Sequence, residues 1–484
     1  MNKIQKLEFP INRCTIDLTE RCNLRCKYCF TYGVGRRDLD FNMGKKIIDW
    51  LFMDEVCQSN EVGVDWWGGE PFLKFDLMKR LTEYVVNKAA KDKKRIMIGG
   101  TSNATLWTKE VVDWMNQTRA YFMMSIDGVK EVQDMFRKTA GGGSSWDLIA
   151  KNLPYIKQQI PFIRSRMAPT PRTIGKLVES VKYLYEEYGI EHNMFSPVYE
   201  MDWTDESLAE AERQMKLLAD FMIEKKLEGK QIFIKHLDDG AQALEMNKNA
   251  REYPCGAGRF YVGISVDGYI YPCHRFNKYD GKPHSSKYCI GSIYEGITRP
   301  DLREPLIKFL DIEQPKCEKC EWFKSLCHVS CYAINYDLTG NVLTPPELHC
   351  KWMNAQARAI VYYYEQLKKY RIPIEIPQTG GGKMQSCVCY NMCYSEGTQW
   401  QIITADRTTG MKCHCYNTSY TGGLSDQARP LTDDEILKYD KSSDKPSSIT
   451  CGAYSDDIKL LYQAVLSLND SVKRLSEIIE KTKK

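Results

Sequence analysis

Residues 14–29 read CTIDLTERCNLRCKYC, and the fold is decided there. The first six, Cys14 to Thr19, alternate in polarity and carry β-branched Thr15, Ile16 and Thr19, which is the pattern of a strand. Three cysteines then follow in a loop, spaced Cys22-x3-Cys26-x2-Cys29. Three thiolates at such spacing can hold three irons of a cubane [4Fe–4S] cluster. No fourth cysteine is close in sequence, so one iron stays open to a small molecule. A zinc site, or cysteines packed in a core, are the competing readings. A lone C-x2-C pair would favour zinc, but a triad directly after a strand is more specific.

Working outward, the chain alternates strand and helix for about 200 residues. A helix is expected over 43–58, a strand over 61–66 closed by a GGEP turn, then helix 74–91, strand 95–99, helix 108–116 and strand 120–126. Helix 146–158, strand 161–166, helix 173–188 and strand 190–195 complete the pattern. Such alternation predicts an α/β fold with a parallel sheet and crossover helices. Several candidate site residues come just after strands, at the edge where parallel sheets and barrels bind ligands. Residues 205–226 read as a charged amphipathic helix, a bridge. The stretch 251–350 differs: it has short strands, a hairpin turn at Asp267–Gly268, and closely spaced cysteines, as in small domains held by metal. A helix over about 351–370 and a linker, IPIEIPQTGGGK, precede a polar tail. The expected domains are 1–200, 201–250, 251–370 and 371–484.

The 19 cysteines among 484 residues are unevenly placed. Three form the triad. Eight fall within 251–350, six follow in the tail (Cys387, Cys389, Cys393, Cys413, Cys415, Cys451), and only Cys14 and Cys57 stand apart. The start of the chain has no apolar run of a secretory signal, and no stretch of the sequence is apolar enough to span a membrane. A cytoplasmic setting with reduced thiols is therefore expected, where clustered cysteines mean metal or redox chemistry. A net charge of +4 gives no global case for nucleic acid or an anionic membrane. In the tail, Ile458, Leu461, Val465, Leu468, Val472, Leu475 and Ile479 form an a/d seam on a helix expected over 456–480. That helix either packs on its own protein or meets a partner or second copy.

The triad and the segments after successive strands resemble the radical S-adenosylmethionine (SAM) enzymes. Tyr28 matches the family's aromatic position near the adenine. Trp67-Gly68-Gly69-Glu70-Pro71 matches its GGEP motif, where glycines allow close backbone approach and Glu70 with the backbone would face the methionine ammonium. Ser102-Asn103 and Ser125-Ile126-Asp127-Gly128 stand where the family contacts ribose and carboxylate, and Arg137 matches a basic position of its peptide-modifying branch. The resemblance implies a partial (β/α)6 TIM-type barrel, SAM chelated by the open iron of the Cys22/Cys26/Cys29 cluster, and reductive cleavage to a 5′-deoxyadenosyl radical that abstracts a substrate hydrogen. It also implies an external electron donor such as flavodoxin or ferredoxin.

The second cysteine group resembles the SPASM domain of radical SAM maturases, which carries two auxiliary [4Fe–4S] clusters. The pattern implies Cys317, Cys320, Cys327 and Cys350 on one cluster, and Cys255, Cys273 and Cys331 on the other, with Cys289 a weak candidate for its fourth ligand. The gap before Cys327 is six residues where five is usual, and two zinc sites are the alternative. Sulfatase maturases carry an Asp directly after the second of these cysteines; here it is His274, a candidate base or proton relay because imidazole titrates near neutrality, or simply a polar residue beside a cluster. The implied function is oxidative modification of a ribosomally made precursor peptide, by a thioether or other cross-link at or near cysteine. Sulfatase-maturase-like oxidation of a protein Cys or Ser, and a non-catalytic peptide-binding escort with structural clusters, are the alternatives. The tail cysteines are candidate zinc ligands, reduced thiols, redox-active thiols or a fused substrate-like segment.

Overall fold

The first strand, β1 (Arg13–Thr19), is buried at every residue. A strand buried on both faces belongs inside a covered sheet, and β1 lies there. On one side it pairs in parallel with β2 (Glu61–Gly68), followed in order by β3 (Arg95–Ser102), β4 (Tyr121–Ser125), β5 (Arg164–Met167), β6 (His192–Phe195) and a short β7 (Phe233–Ile234). On its other side β1 pairs in parallel with β8 (Tyr261–Ile264), which starts the antiparallel run β9 (Tyr269–Tyr271), β10 (Gly291–Ser292) and β11 (Gly296–Ile297). One eleven-stranded sheet results, ordered β11-β10-β9-β8-β1-β2-β3-β4-β5-β6-β7. Within the parallel run, strands β1 to β6 with their crossover helices are the (β/α)6 partial barrel. This computed structural model describes residues 4–31, 35–160, 162–278 and 287–374. The tail cysteines, the expected helix 456–480 and most of the linker lie outside the described residues.

The helices differ from the sequence expectations in informative places. Asp40 accepts hydrogen bonds from the Asn42 and Met43 amides, so the first helix begins at Phe41; it ends at Leu51. The expected helix 146–158 is two, Trp146–Ala150 and Leu153–Gln159. Pro154 has no amide to donate to the Ala150 carbonyl, and its ring opposes a continuous helix. A helix over Lys130–Phe136, too short to show a clear apolar period, was not expected.

Among the described residues, three apolar clusters form the core. The first joins Ile16, Val62, Val64 and Trp66 on strands to Ile47, Leu51, Leu81 and Val85 on helices. The second packs the closing helix Glu347–Lys369, through Trp352, Ile360, Tyr363 and Leu367, against Met215, Leu218 and Met222 of the bridge helix Asp205–Leu227. Each fully buried aliphatic side chain there contributes about 1.5–3 kcal/mol. The third contains Cys255, Cys273 and Cys331 among Tyr261, Tyr271, Phe309 and Tyr332. Among the described residues, no helix is long and apolar enough to cross a membrane.

Candidate functional site

The ends of β1 and β2 build the cysteine loop. After β1 the chain turns outward, and the start of the GGEP segment closes against it: the Gly69 amide donates to the Thr19 carbonyl (2.8 Å) and the Glu70 amide to that of Arg21 (2.9 Å). This approach explains both glycines. A Cβ on Gly68 would stand 2.2 Å from the Thr19 oxygen at a φ of +133°, and one on Gly69 would stand 2.3 Å from the Arg21 oxygen. The motif therefore clasps the backbone that leads into Cys22.

Glu70 is buried and all its partners here are protein donors. It accepts from the Phe72 amide (3.2 Å), the Ser102 hydroxyl (2.8 Å) and the Asn103 amide (2.8 Å). Burial outweighs these bonds and raises its pKa to about 7. Asn103 is thereby fixed beside the triad: its Nδ2 donates to Asn23 (2.9 Å) and lies 3.8 Å from Cys22 Sγ. The Leu24 amide donates to the same sulfur at 3.3 Å.

The ends of β4 and the helix after it complete the far side. The Asp127 carboxylate takes Arg137 Nε (2.7 Å) and Nη2 (3.1 Å), the Ala168 amide (2.8 Å), and the Tyr28 hydroxyl. Arg137 also stands over the Tyr28 ring, 5.2 Å from its centroid. Tyr28, Asp127 and Arg137 are thus one buried network, with Ser125 at the end of β4 beside it. The loop is pinned to the same segment by main-chain bonds: Arg25 to Lys138 (2.8 Å), Lys27 to Phe136 (3.1 Å) and Ala140 to Asn23 (2.8 Å). Burial raises Cys26 to about 12, opposed first by the Arg137 guanidinium, and raises Cys22 to about 12, with the Glu70 charge adding to it. Neighbouring triad thiols raise both further, so the three share one space.

The remaining thiols gather in two further sets. Burial raises Cys317 to about 11, and the next contributions come from Cys350 and Cys320; Cys327, at about 12, feels Cys317, Cys320 and Cys350. His349 joins this set, its Nε2 3.7 Å from Cys327 Sγ and its Nδ1 3.1 Å from the Tyr199 hydroxyl. Cys273, buried and at about 12, feels Cys331, and Cys255 lies in the same apolar cluster. Cys289 packs against the same cluster; its thiol hydrogen-bonds the Gly291 carbonyl (3.4 Å), and Asp267 and Arg299 are its charged neighbours.

His274, one residue past Cys273, is buried between Trp67 (ring centroids 4.1 Å) and the Tyr261 hydroxyl, 2.6 Å from its Nδ1. Burial, then Arg275 and Lys278, push its pKa down to about 3. The near-neutral titration expected from sequence is therefore not what this pocket produces. Tyr261 was not picked out from sequence and Trp67 only as the residue opening the GGEP segment; the pairing of β2 and β8 on either side of β1 is what brings them to one place.

Thiol sets of this kind are donors for iron–sulfur clusters and for zinc alike. Because the buried thiols are held neutral, loading iron releases protons.

Comparison with known proteins agrees with this geometry. Residues 16–184 match the model of the Radical SAM superfamily. The chain is similar to the uncharacterized protein MJ0907 of Methanocaldococcus jannaschii, 29% identical over 170 residues, which are 35% of this chain and 57% of that protein. It thus spans little more than half of that relative's length. It is also similar to the cysteine-type anaerobic sulfatase-maturating enzyme of Clostridium perfringens, 24% identical over 344 residues, 64% of this chain and 85% of that enzyme. The solved structure of native anSMEcpe with bound AdoMet and Cp18Cys peptide shares the fold, with a TM-score of 0.59 at 19% identity over 75% of this chain and 98% of that one. The segment 16–184, which holds most of the first strand, the triad after it and the four parallel strands β2 to β5, therefore matches a Radical SAM superfamily domain.

Proposed function

We propose that the protein is a radical SAM maturase that oxidatively modifies a precursor peptide, forming a thioether or other cross-link at or near cysteine. The observation that carries this reading is the grouping of thiols. Beyond Cys22, Cys26 and Cys29, one set gathers around Cys317, Cys320, Cys327 and Cys350, and another around Cys273 and Cys331. Two auxiliary [4Fe–4S] clusters in a SPASM-type domain over 251–370 fit those sets, and they suit a net oxidation, since they can take the electron left after hydrogen abstraction. Cys22, Cys26 and Cys29 would hold a cluster that, with SAM bound, would supply a 5′-deoxyadenosyl radical. The chain's own residues do the positioning. The Gly68–Glu70 clasp sets the triad loop, Glu70 fixes Asn103 beside Cys22, and the Asp127–Arg137 pair holds Tyr28 in place. Trp67 and His274, the latter one residue past Cys273, are buried in tilted ring contact at 4.1 Å between centroids.

Reconstituted protein is expected to bind about twelve irons per chain; about four, or zinc in the 251–350 block, would overturn the auxiliary clusters. Replacing Cys22, Cys26 and Cys29 by Ala should abolish 5′-deoxyadenosine formation under reduction. A co-expressed cysteine-bearing peptide should lose two hydrogens per modification. A second reading, side-chain oxidation of the sulfatase-maturase kind, is favoured by the likeness to the C. perfringens enzyme and opposed by His274 in place of the acid. It predicts an oxidised side chain that stays uncrosslinked on tandem mass spectrometry.

A further inference from the structure

We propose that His349 is a positioning residue that donates a hydrogen bond to the Cys327 sulfur and so sets the reduction potential of the cluster on Cys317, Cys320, Cys327 and Cys350; this rests on the auxiliary-cluster reading above. The ring is held from both sides. His349 stands in the first turn of the closing helix Glu347–Lys369, its amide donating to the Pro346 carbonyl (3.0 Å), and it is only 1% exposed. Nδ1 lies 3.1 Å from the Tyr199 hydroxyl, with the two ring centroids 6.0 Å apart, and Nε2 lies 3.7 Å from Cys327 Sγ. Tyr199 is itself buried, in the apolar cluster that holds Cys255, Cys273 and Cys331. His349 therefore reaches from one thiol set to the wall of the other. His328, the neighbour of Cys327 in sequence, is placed differently: its Nε2 faces Glu252 at 3.7 Å, and its Nδ1 has no hydrogen-bond partner among the described residues.

The direction of these bonds follows from the state of the sulfur. As a thiol, Cys327 can give its proton to the Val329 carbonyl, 3.9 Å away, or to Nε2. As a metal ligand it has lost that proton to solvent and can only accept. The ring nitrogen that faces it must then carry a hydrogen. In a neutral ring this leaves Nδ1 to accept from the Tyr199 hydroxyl, so Tyr199 fixes the tautomer. A hydrogen bond to a ligand sulfur favours the reduced cluster over the oxidised one, because reduction adds negative charge where the N–H points. The potential therefore falls when the donor is removed. With the donor in place this set is easier to reduce than its thiolates alone would make it. That is the direction needed in an acceptor of the electron left by substrate oxidation.

The test is an anaerobic redox titration of the reconstituted full protein, followed by electron paramagnetic resonance, with this cluster's wave identified as the one missing from C350A. H349F should raise the oxidised-to-reduced ratio of that cluster about tenfold at a fixed potential, a midpoint lower by about 59 mV for one electron, while the other waves hold. H349Q, whose amide can still donate, should show less than about half of that shift. Y199F, which lets Nδ1 hold the hydrogen instead, should move the ratio the same way by about threefold, and it serves if H349F does not fold. Iron should stay at about twelve per chain in all three variants. An unmoved midpoint in H349F and Y199F, or an equal shift in H349F and H349Q, overturns the proposal. So does the loss of about four irons in both His349 variants, which would make the residue a ligand. Zinc on this set would sink the auxiliary-cluster reading and leave the donor testable: zinc affinity should then fall at least about tenfold in H349F, and unchanged affinity overturns it. A set that binds neither metal overturns both.

Discussion

Replacing Gly69 by alanine tests whether the GGEP segment is a clasp on the cysteine loop. The new methyl carbon would stand 2.3 Å from the Arg21 carbonyl oxygen, 2.6 Å from its carbon and 2.8 Å from the Glu20 oxygen. All three are main-chain atoms, so no side chain can swing aside. Restoring a contact of about 3.4 Å requires the strands to part by about 1 Å. The Gly69–Thr19 and Glu70–Arg21 hydrogen bonds, at 2.8 and 2.9 Å, would then exceed hydrogen-bond range. Two bonds at about 1 kcal/mol each, with buried groups left unpaired, amount to about 2–4 kcal/mol. A shift of about 1 Å at Cys22 would slow the chemistry by about a hundredfold. The assay compares G69A with G141A, whose new methyl meets nothing within 4 Å. Anaerobic thermal unfolding, iron content and 5′-deoxyadenosine formation are measured on both. G69A is expected to lose stability and activity while G141A keeps both. A G69A protein with wild-type melting temperature and wild-type rate would refute the clasp.

Asp127→Asn removes the partner of buried Arg137 and should cost about 3–5 kcal/mol, read as a lower melting temperature; unchanged stability would remove Asp127 from the network. Cys350→Ala should lower iron from about twelve to about eight per chain, and full iron content would exclude Cys350 as a ligand. His236 packs on Phe195 with centroids 5.6 Å apart, and burial, then Lys235, pushes its pKa down to about 4. The unfolded chain takes up a proton near pH 6.5 while the native state does not. That contribution to stability is therefore complete above about pH 6.5 and drains as pH falls towards about 4. His236→Phe should flatten this slope in thermal melts, and an unaltered slope would assign acid lability to other groups.

The strands were legible because each is a short apolar or alternating run bounded by turn residues, and β1 through β6 sit where the pattern put them. The triad was legible because its ligand spacing is local. What sequence could not give was set by contacts between distant segments. Tyr28, Asp127 and Arg137 each looked like a separate ligand contact; their union depends on the loop folding back against residues 136–140. Glu70 looked exposed to ligand, but its partners Ser102 and Asn103 lie on another strand. His274 kept an ordinary imidazole's behaviour on paper because its burial is tertiary; one of its ring contacts is Trp67, some 200 residues upstream in the chain. The thiols of 251–350 were readable as a group, and Cys255, Cys273 and Cys331 share one apolar cluster against which Cys289 also packs.

The pairing of β8 with β1 has a consequence in time. Arg13 and its partner Tyr261 are separated by about 250 positions, so a ribosome moving at about 5–20 residues per second needs about 12–50 s between finishing one strand and finishing the other. Throughout that interval β1 has an uncovered edge, a row of unpaired amides and carbonyls open to any passing strand. Three thiols without iron stand just beyond its end. The growing chain, more than the finished molecule, is the species exposed to strand addition and to oxidation, and its yield will follow how fast it is made and how much iron meets it during synthesis.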